Sequence, residues 1–191
     1  TEQRKLYLAA VVDAREKLRA AKPEDKMTVF AVLMRLREIC CDPRLVADNW
    51  TGSSAKLDAC LELVTEAVAG GHRILLFSQF TSMLELLAKR LDEAGVSHFT
   101  LQGSTPKPVR AEQVRRFNQG EADVFLISLR AGGTGLNLTA ADIVIHYDPW
   151  WNLAAQNQAT DRAYRIGQRN PVQVYRLIAQ DTIEEKIVEL Q

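Results

Sequence analysis

The 191-residue sequence contains no G-x-x-x-x-G-K-[ST] phosphate loop, and no acidic motif follows a strand in the manner that holds magnesium. It is therefore not equipped to cradle a nucleoside triphosphate by itself. Cysteine is scarce: Cys40, Cys41 and Cys60 lack paired metal-ligand spacing, which argues against a zinc site and for three packing thiols in a reducing compartment. His72, His98 and His146 share no ligand spacing either, so no metal site is expected. Excess charge of one sign is also lacking, with 24 basic and 24 acidic side chains. That balance excludes nucleic-acid binding through a diffuse positive field and confines any such contact to local groups. No apolar run approaches the ~20 residues of a membrane span, and no charged-then-apolar signal segment opens the sequence. No internal repeat or low-complexity stretch is present. A hydrophobic share of 47% is sufficient for a real core, which makes this a globular chain of one ordinary domain with a small appendage.

Residues 1–48 carry two helical patterns, one with Leu6, Ala9, Val12 and Leu18, the other with Val29, Leu33, Leu36 and Ile39. They read as a helical insertion or linker region. Thr1 opens directly on the first pattern, so the chain is expected to be a piece of something longer. Lys22-Pro23-Glu24-Asp25 separates the two patterns, and Cys41-Asp42-Pro43 ends the second, because a residue before proline is pushed out of the α region. The polar stretch Asn49 to Ser54 is the expected boundary, and residues 55–191 form the main domain.

Within that domain strands and helices alternate. Ser54 is placed to cap a helix with Leu57, Leu61, Val64 and Val68 on its apolar stripe, ending at Gly70-Gly71. The run Arg73 to Ser78 is a buried strand; Ser82 and Glu85 have capping-box spacing for the helix that follows, up to Gly95. Ser97 to Leu101 is the next strand, Gln102 to Lys107 a turn, and Pro108 suits the first turn of the helix around Val109 to Phe117. The strands Asp123 to Ser128, Asp142 to Tyr147 and Val172 to Ile178 follow, and Thr182 and Glu185 have the spacing of a capping box that opens a last helix, to Leu190. Strands recurring with helices between them predict an α/β fold, a parallel sheet covered by helices on both faces.

The distinctive stretch is Ser128 to Gln168. Its glycines, Gly132, Gly133 and Gly135, directly follow a strand, at the edge where open α/β sheets bind ligands. Further on, Gln158, Arg162 and Arg165 stand at i, i+4 and i+7 of a helix, which stacks them on one face. Ala155, Ala159, Ala163 and Ile166 form a separate stripe of mostly small residues that lets this helix sit close on a sheet. Taken alone, the glycines are a tight turn and the arginines a solvated helix face.

The segments SLRAGGTGLNL, YDPWWN and QATDRAYRIGQ, in this order, resemble the second motor lobe of SWI/SNF-type DNA translocases, members of the superfamily-two helicase-like ATPases. The resemblance extends back through ILLFSQF and LQGSTPKPVRAEQVRRFN and, more loosely, to LMRLREICCDPRLV. Two departures are Cys-Asp-Pro where the family has a Cys-x-His-Pro-like sequence, and Leu153 in place of a proline. The resemblance implies a RecA-like lobe that faces an N-terminal RecA-like lobe of the same polypeptide, which binds most of the ATP and Mg. It implies catalytic arginine fingers at Arg162 and Arg165, with Gly133, Gly135 and Gln158 at the nucleotide. It implies contacts to the backbone of double-stranded DNA from Ser78, Gln79, Gly103, Ser104, Thr105 and Arg130, with Lys107 and Arg110 as helpers.

On that basis the isolated lobe is expected to be a monomer without ATPase activity, without contact to membranes, and intracellular: in the cytoplasm or nucleoid of a bacterium, or the nucleus of a eukaryote. Two other classes compete with this reading. One is a stand-alone doubly wound nucleotide-binding domain, which would bind nucleotide tightly without a partner. The other is a motor-derived protein-interaction module, which would tolerate loss of both Arg162 and Arg165.

Overall fold

A computed structural model describes residues 1–132, 136–162, 168 and 170–191. Helix α1 (Glu2–Ala20) starts at Thr1, whose hydroxyl accepts from the Arg4 N–H at 3.1 Å, and α2 (Lys26–Cys41) starts at Asp25, which accepts from the Thr28 N–H at 3.1 Å. These caps satisfy donors that a helix start leaves orphaned. The break between the helices falls at Lys22 to Asp25, and α2 stops at Cys41, ahead of a 3₁₀ turn at Pro43–Leu45.

The remaining elements alternate as α3 (Ala55–Ala69), β1 (Ile74–Ser78), α4 (Thr81–Glu93), β2 (His98–Leu101), α5 (Lys107–Asn118), β3 (Val124–Ser128), α6 (Leu129–Gly132), β4 (Ile143–His146), α7 (Leu153–Asp161), β5 (Gln173–Arg176) and α8 (Ile183–Leu190). Gly71 after α3 has φ +83°, in the left-handed region where a side chain is strained.

All strand pairs are parallel, in the order β2-β3-β1-β4-β5. In register, Ile74 lies opposite both Val124 and Ile143, and Ser78 opposite Ser128. Side chains alternate across a pleated sheet, so each inner strand serves two cores. Ile74, Leu76, Val124, Leu126, Ile143, Ile145 and Tyr147 pack with α3 and α4 on one face. Leu75, Phe77, Phe125, Ile127 and Val144 pack on the other with Phe117 of α5, Ala159 of α7 and Trp150. Burial on both faces is why β1, β3 and β4 read as continuous apolar runs.

The helical hairpin α1–α2 has its own cluster of Tyr7, Ala14, Val32, Leu36, Ile39 and Cys40, which continues into Ala179 and into Ile183 at the start of α8. Polar ties join the hairpin to the sheet domain: the Tyr147 hydroxyl donates to the Cys41 carbonyl at 2.8 Å, and the Ile183 N–H donates to the Tyr7 hydroxyl at 2.8 Å. Cys40, Cys41 and Cys60 are free and buried. Burial pushes the Cys40 and Cys60 thiols up to about 12 and Cys41 well above its ordinary range, so all three are inert packing groups.

Two expected caps differ. No box forms at Ser82 and Glu85, because Phe80 is buried and α4 already begins at Thr81, leaving Ser82 inside the first turn. Ser54 precedes α3 but turns inward, donating to the Cys41 carbonyl at 3.3 Å. Thr182 does cap α8, accepting from the Glu184 N–H at 3.1 Å.

Candidate functional site at the carboxyl edge of the sheet

Strands β1 to β4 deliver their following loops to one edge, and most of the candidate residues stand there. After β1, Ser78 is fully buried; its hydroxyl donates to Asp148 Oδ1 at 2.5 Å and accepts from the Phe80 N–H at 3.1 Å. The Gln79 N–H donates to Asp148 Oδ2 at 3.2 Å, so one buried carboxylate fixes the exit of β1 from the adjoining strand. Burial pushes the Asp148 carboxyl up to about 6, against the lowering effects of the Ser78 hydroxyl, the Lys56 charge and the Gln79 N–H. The Ser78 side chain is thus engaged inside the fold, while Gln79 is only partly buried.

After β2, Gly103 and Ser104 are exposed at the tip of a turn. Thr105 closes that turn: its Oγ1 accepts from the Gln102 N–H at 3.0 Å, and its own N–H donates to the Gln102 carbonyl at 3.1 Å. Arg110 belongs to the frame of the turn. Its Nε donates to the Thr105 carbonyl at 2.8 Å and its Nη2 to the carbonyls of Gly103 and Gln102 at 2.9 and 3.2 Å. After β3, Arg130 is exposed on α6, and a Cβ placed on Gly103 would lie 3.8 Å from the Arg130 Cβ. Gly103, Ser104 and Arg130 therefore make one solvent-facing patch from two separate segments, the turn after β2 and the short helix after β3.

After β4, Trp150 is buried and Trp151 is 44% exposed. Asn152 caps α7 by accepting from the Ala155 N–H at 3.1 Å. Ala155 and Ala159 seat α7 on the sheet as their spacing predicts. Gln158 is exposed, whereas Arg162, at the C-cap, is 3% exposed, and its carbonyl accepts from the Leu138 N–H at 3.2 Å. The two are thus unequally placed: one faces water and the other is enclosed. Gly133, Gly135 and Arg165 lie outside the described residues, as do Ala163 and Ile166.

Sequence reasoning missed three residues that shape this edge. Gln156 is buried, and its Oε1 accepts from the Trp150 N–H and from Gln191 Nε2, both at 3.2 Å. His146 is buried too, stacked on Phe77 at 5.6 Å and edge-on to Trp150 at 5.3 Å. Its Nε2 lies 2.9 Å from Thr160 Oγ1, which itself donates to the Gln156 carbonyl at 3.3 Å. That hydroxyl has one proton, so it must accept from His146 Nε2–H, which assigns the tautomer. Burial, reinforced by the Arg176 charge, lowers the imidazole to about 4 and keeps it neutral near pH 7. The one sequence signal for it is a histidine inside an otherwise apolar strand. The third residue is Arg37 of α2, whose guanidinium reaches the loops after β1 and β4.

Among the described residues, no group of three His, Cys, Asp or Glu side chains is arranged to hold a metal ion, and no helix is long and apolar enough to cross a membrane.

Residues 55–167 match the helicase conserved C-terminal domain. A mouse protein described as SWI/SNF-related matrix-associated actin-dependent regulator of chromatin subfamily A member 1 is 38% identical over 98% of this chain and 19% of its own length. The chain spans about a fifth of the length of the curated relatives it matches. Among solved structures, the SWI2/SNF2 ATPase C-terminal domain of Sulfolobus solfataricus is 29% identical, with a TM-score of 0.82 over 99% of this chain and 79% of its own. The ATPase core of the same organism in complex with double-stranded DNA is 32% identical, with a TM-score of 0.86 over all of this chain and 41% of its own. A parallel RecA-like sheet, its ordered motifs and these likenesses place the chain in the helicase conserved C-terminal domain family, as the carboxyl-terminal lobe of a SWI/SNF-type, superfamily-two helicase-like ATPase.

Proposed function

We propose that this lobe is one half of an ATP-dependent motor that moves along double-stranded DNA, working against an N-terminal RecA-like lobe of the same polypeptide. The observation that carries this reading is the convergence, on one sheet edge, of an exposed patch suited to a phosphate backbone with a helix that holds Arg162. Hydroxyls, backbone N–H groups and a guanidinium contact phosphates without reading sequence. Gly103, Ser104 and Arg130 supply those groups directly; Gln79 and Thr105 flank them. Ser78, held by Asp148, acts by fixing the end of β1.

ATP is the substrate in this reading, as the relatives named ATP-dependent helicases suggest. The chain's own residues do not suit ATP and Mg alone, since it has no phosphate loop. Those groups are assigned to the other lobe. This lobe adds arginines across the cleft: Arg162 from the end of a seated helix, and Arg165 shortly after it in sequence. Charge spreads over the γ-phosphoryl oxygens during transfer, and a delocalised cation from a second element stabilises it, an effect of ~10³ to 10⁵ in rate for arginine fingers. Gly133, Gly135 and Gln158 complete the nucleotide side. The full-length protein would operate inside the cell, where its substrate lies.

The test is ATP turnover by the full-length protein with and without duplex DNA. Strong stimulation by unrelated duplexes is expected; turnover indifferent to DNA would overturn the reading.

A further inference from the structure

We infer that Arg37 is a positioning residue for the nucleic-acid edge, tying the helical hairpin to the loops after β1 and β4 so that the hairpin sets the geometry in which that edge meets a phosphate backbone. The inference rests on the proposed function for the identity of the partner, and on the following geometry for the role. Arg37 lies on α2 and is 4% exposed. Its Nη2 donates to Gln79 Oε1 at 2.6 Å and to the Pro149 carbonyl at 3.1 Å, partners 42 and 112 residues away. The guanidinium also sits 5.4 Å from the centroid of the Phe80 ring. Its hydrogen-bond partners on the loops are neutral oxygens, and among the described residues no carboxylate pairs with it.

Enclosing a guanidinium among neutral acceptors is unfavourable relative to an apolar side chain of similar volume, so packing alone does not account for it. What arginine supplies is a planar head whose Nη2 carries two N–H donors, so that one nitrogen bridges two loops at once. Both ends of the Gln79 amide are fixed as a result: Oε1 is held by Arg37, and Nε2 donates to the same Pro149 carbonyl at 3.2 Å. The Gln79 N–H meanwhile rests on Asp148. Arg37 thus closes a ring of contacts whose other members stand at the ends of the neighbouring strands β1 and β4. A shift of α2 against the sheet would be transmitted to Gln79 and to the turn leading into α7.

The test uses the full-length motor. Duplex affinity is read by fluorescence anisotropy without nucleotide, turnover is read against duplex concentration, and melting temperature is recorded for every variant. Arg37→Met should weaken duplex binding about five- to tenfold, within the usual range of coupling between linked sites, while turnover at saturating duplex falls less than about twofold. Gln79→Ala should weaken binding similarly, and the double variant should lose clearly less than the sum of the singles, since the two residues share the Arg37–Gln79 contact. Arg37→Lys, which keeps a cation and donors but not the planar head fixed against Phe80, should fall between.

Binding by Arg37→Met within about twofold of the unsubstituted motor, or additive losses in the double variant, would overturn the inference. So would a loss of saturating turnover that tracks melting temperature while duplex affinity holds. If Arg37→Met does not fold, Arg37→Lys decides, and an unchanged duplex affinity there counts against the role. A motor that binds duplex without duplex-stimulated turnover removes the proposed function but leaves the Arg37 comparison standing. One that binds no duplex removes both.

Discussion

His146 and Asp148 stand two residues apart where β4 leaves the sheet, both buried, with proton affinities displaced in opposite directions: the imidazole down to about 4 and the carboxyl up to about 6. One cause, burial, acts on both, because it penalises whichever form is charged. Their contributions to stability therefore run against each other with pH. The carboxyl binds its proton more tightly folded than unfolded, so its contribution is present below about pH 4 and is lost as pH rises through about 6. The imidazole binds its proton less tightly folded, so its contribution is present above about pH 6.5 and is lost as pH falls toward 4. Each is worth on the order of 3 kcal/mol across its window. Asp148→Asn should make the protein lose stability more steeply on acidification from pH 6.5 to 4, and His146→Gln should reverse that slope. Urea denaturation across the window checks both, and parallel pH profiles in all three proteins would refute the assignment.

Lys56 of α3 and Glu184 at the start of α8 form a buried pair, with Nζ at 2.5 and 2.7 Å from the two carboxylate oxygens. Lys56→Met should destabilise the fold by about 3 to 5 kcal/mol, because it leaves an enclosed carboxylate without its cation. Adding Glu184→Leu should recover part of the loss but not all, since Glu184 Oε1 also accepts from the Ala179 N–H at 2.8 Å. Chemical denaturation of both variants measures this. A double variant less stable than Lys56→Met would show that the carboxylate is held well enough without lysine.

In the full-length motor, Arg162→Ala and Arg165→Ala should each cut turnover by orders of magnitude while leaving ATP binding nearly intact, as befits contacts made chiefly in the transition state. Lysine at either position should rescue little, because a point charge lacks the planar fork. Arg162 is buried, so its variant should also melt earlier, and turnover must be compared well below that temperature. Near-normal turnover in both alanine variants would remove the finger assignment.

Duplex binding by this lobe alone should be weak, indifferent to sequence and strongly dependent on salt, given its few contacts on a neutral background. Arg130→Ala should lower the slope of log affinity against log salt by about 1, equally on unrelated duplexes. An unchanged slope would take Arg130 out of the interface.

Apart from the short helix α6, which stands where the sequence reads as a glycine turn, the order of strands and helices was legible, because burial on both faces leaves unbroken apolar runs at Ile74 to Ser78 and Val124 to Ser128 that no other element would carry. The motifs from Ser128 to Gln168 carried the family, since they sit in contiguous segments whose spacing is itself the signal. Local periodicity also seated α7 through Ala155 and Ala159. What it did not contain is which strand lies beside which. The order β2-β3-β1-β4-β5 sets β1 between β3 and β4, and only that neighbourhood brings Asp148 to Ser78 and Arg37 to both Gln79 and Pro149. The same neighbourhood turned Ser54 inward, away from the cap its local sequence suggested, and engaged the Ser78 hydroxyl with Asp148. An element's apolar face follows from residues near one another in the chain, but the burial of polar groups such as Arg37, Gln156 and Arg162, and the partners they find, are decided by packing between segments tens of residues apart, and only the tertiary structure holds that information.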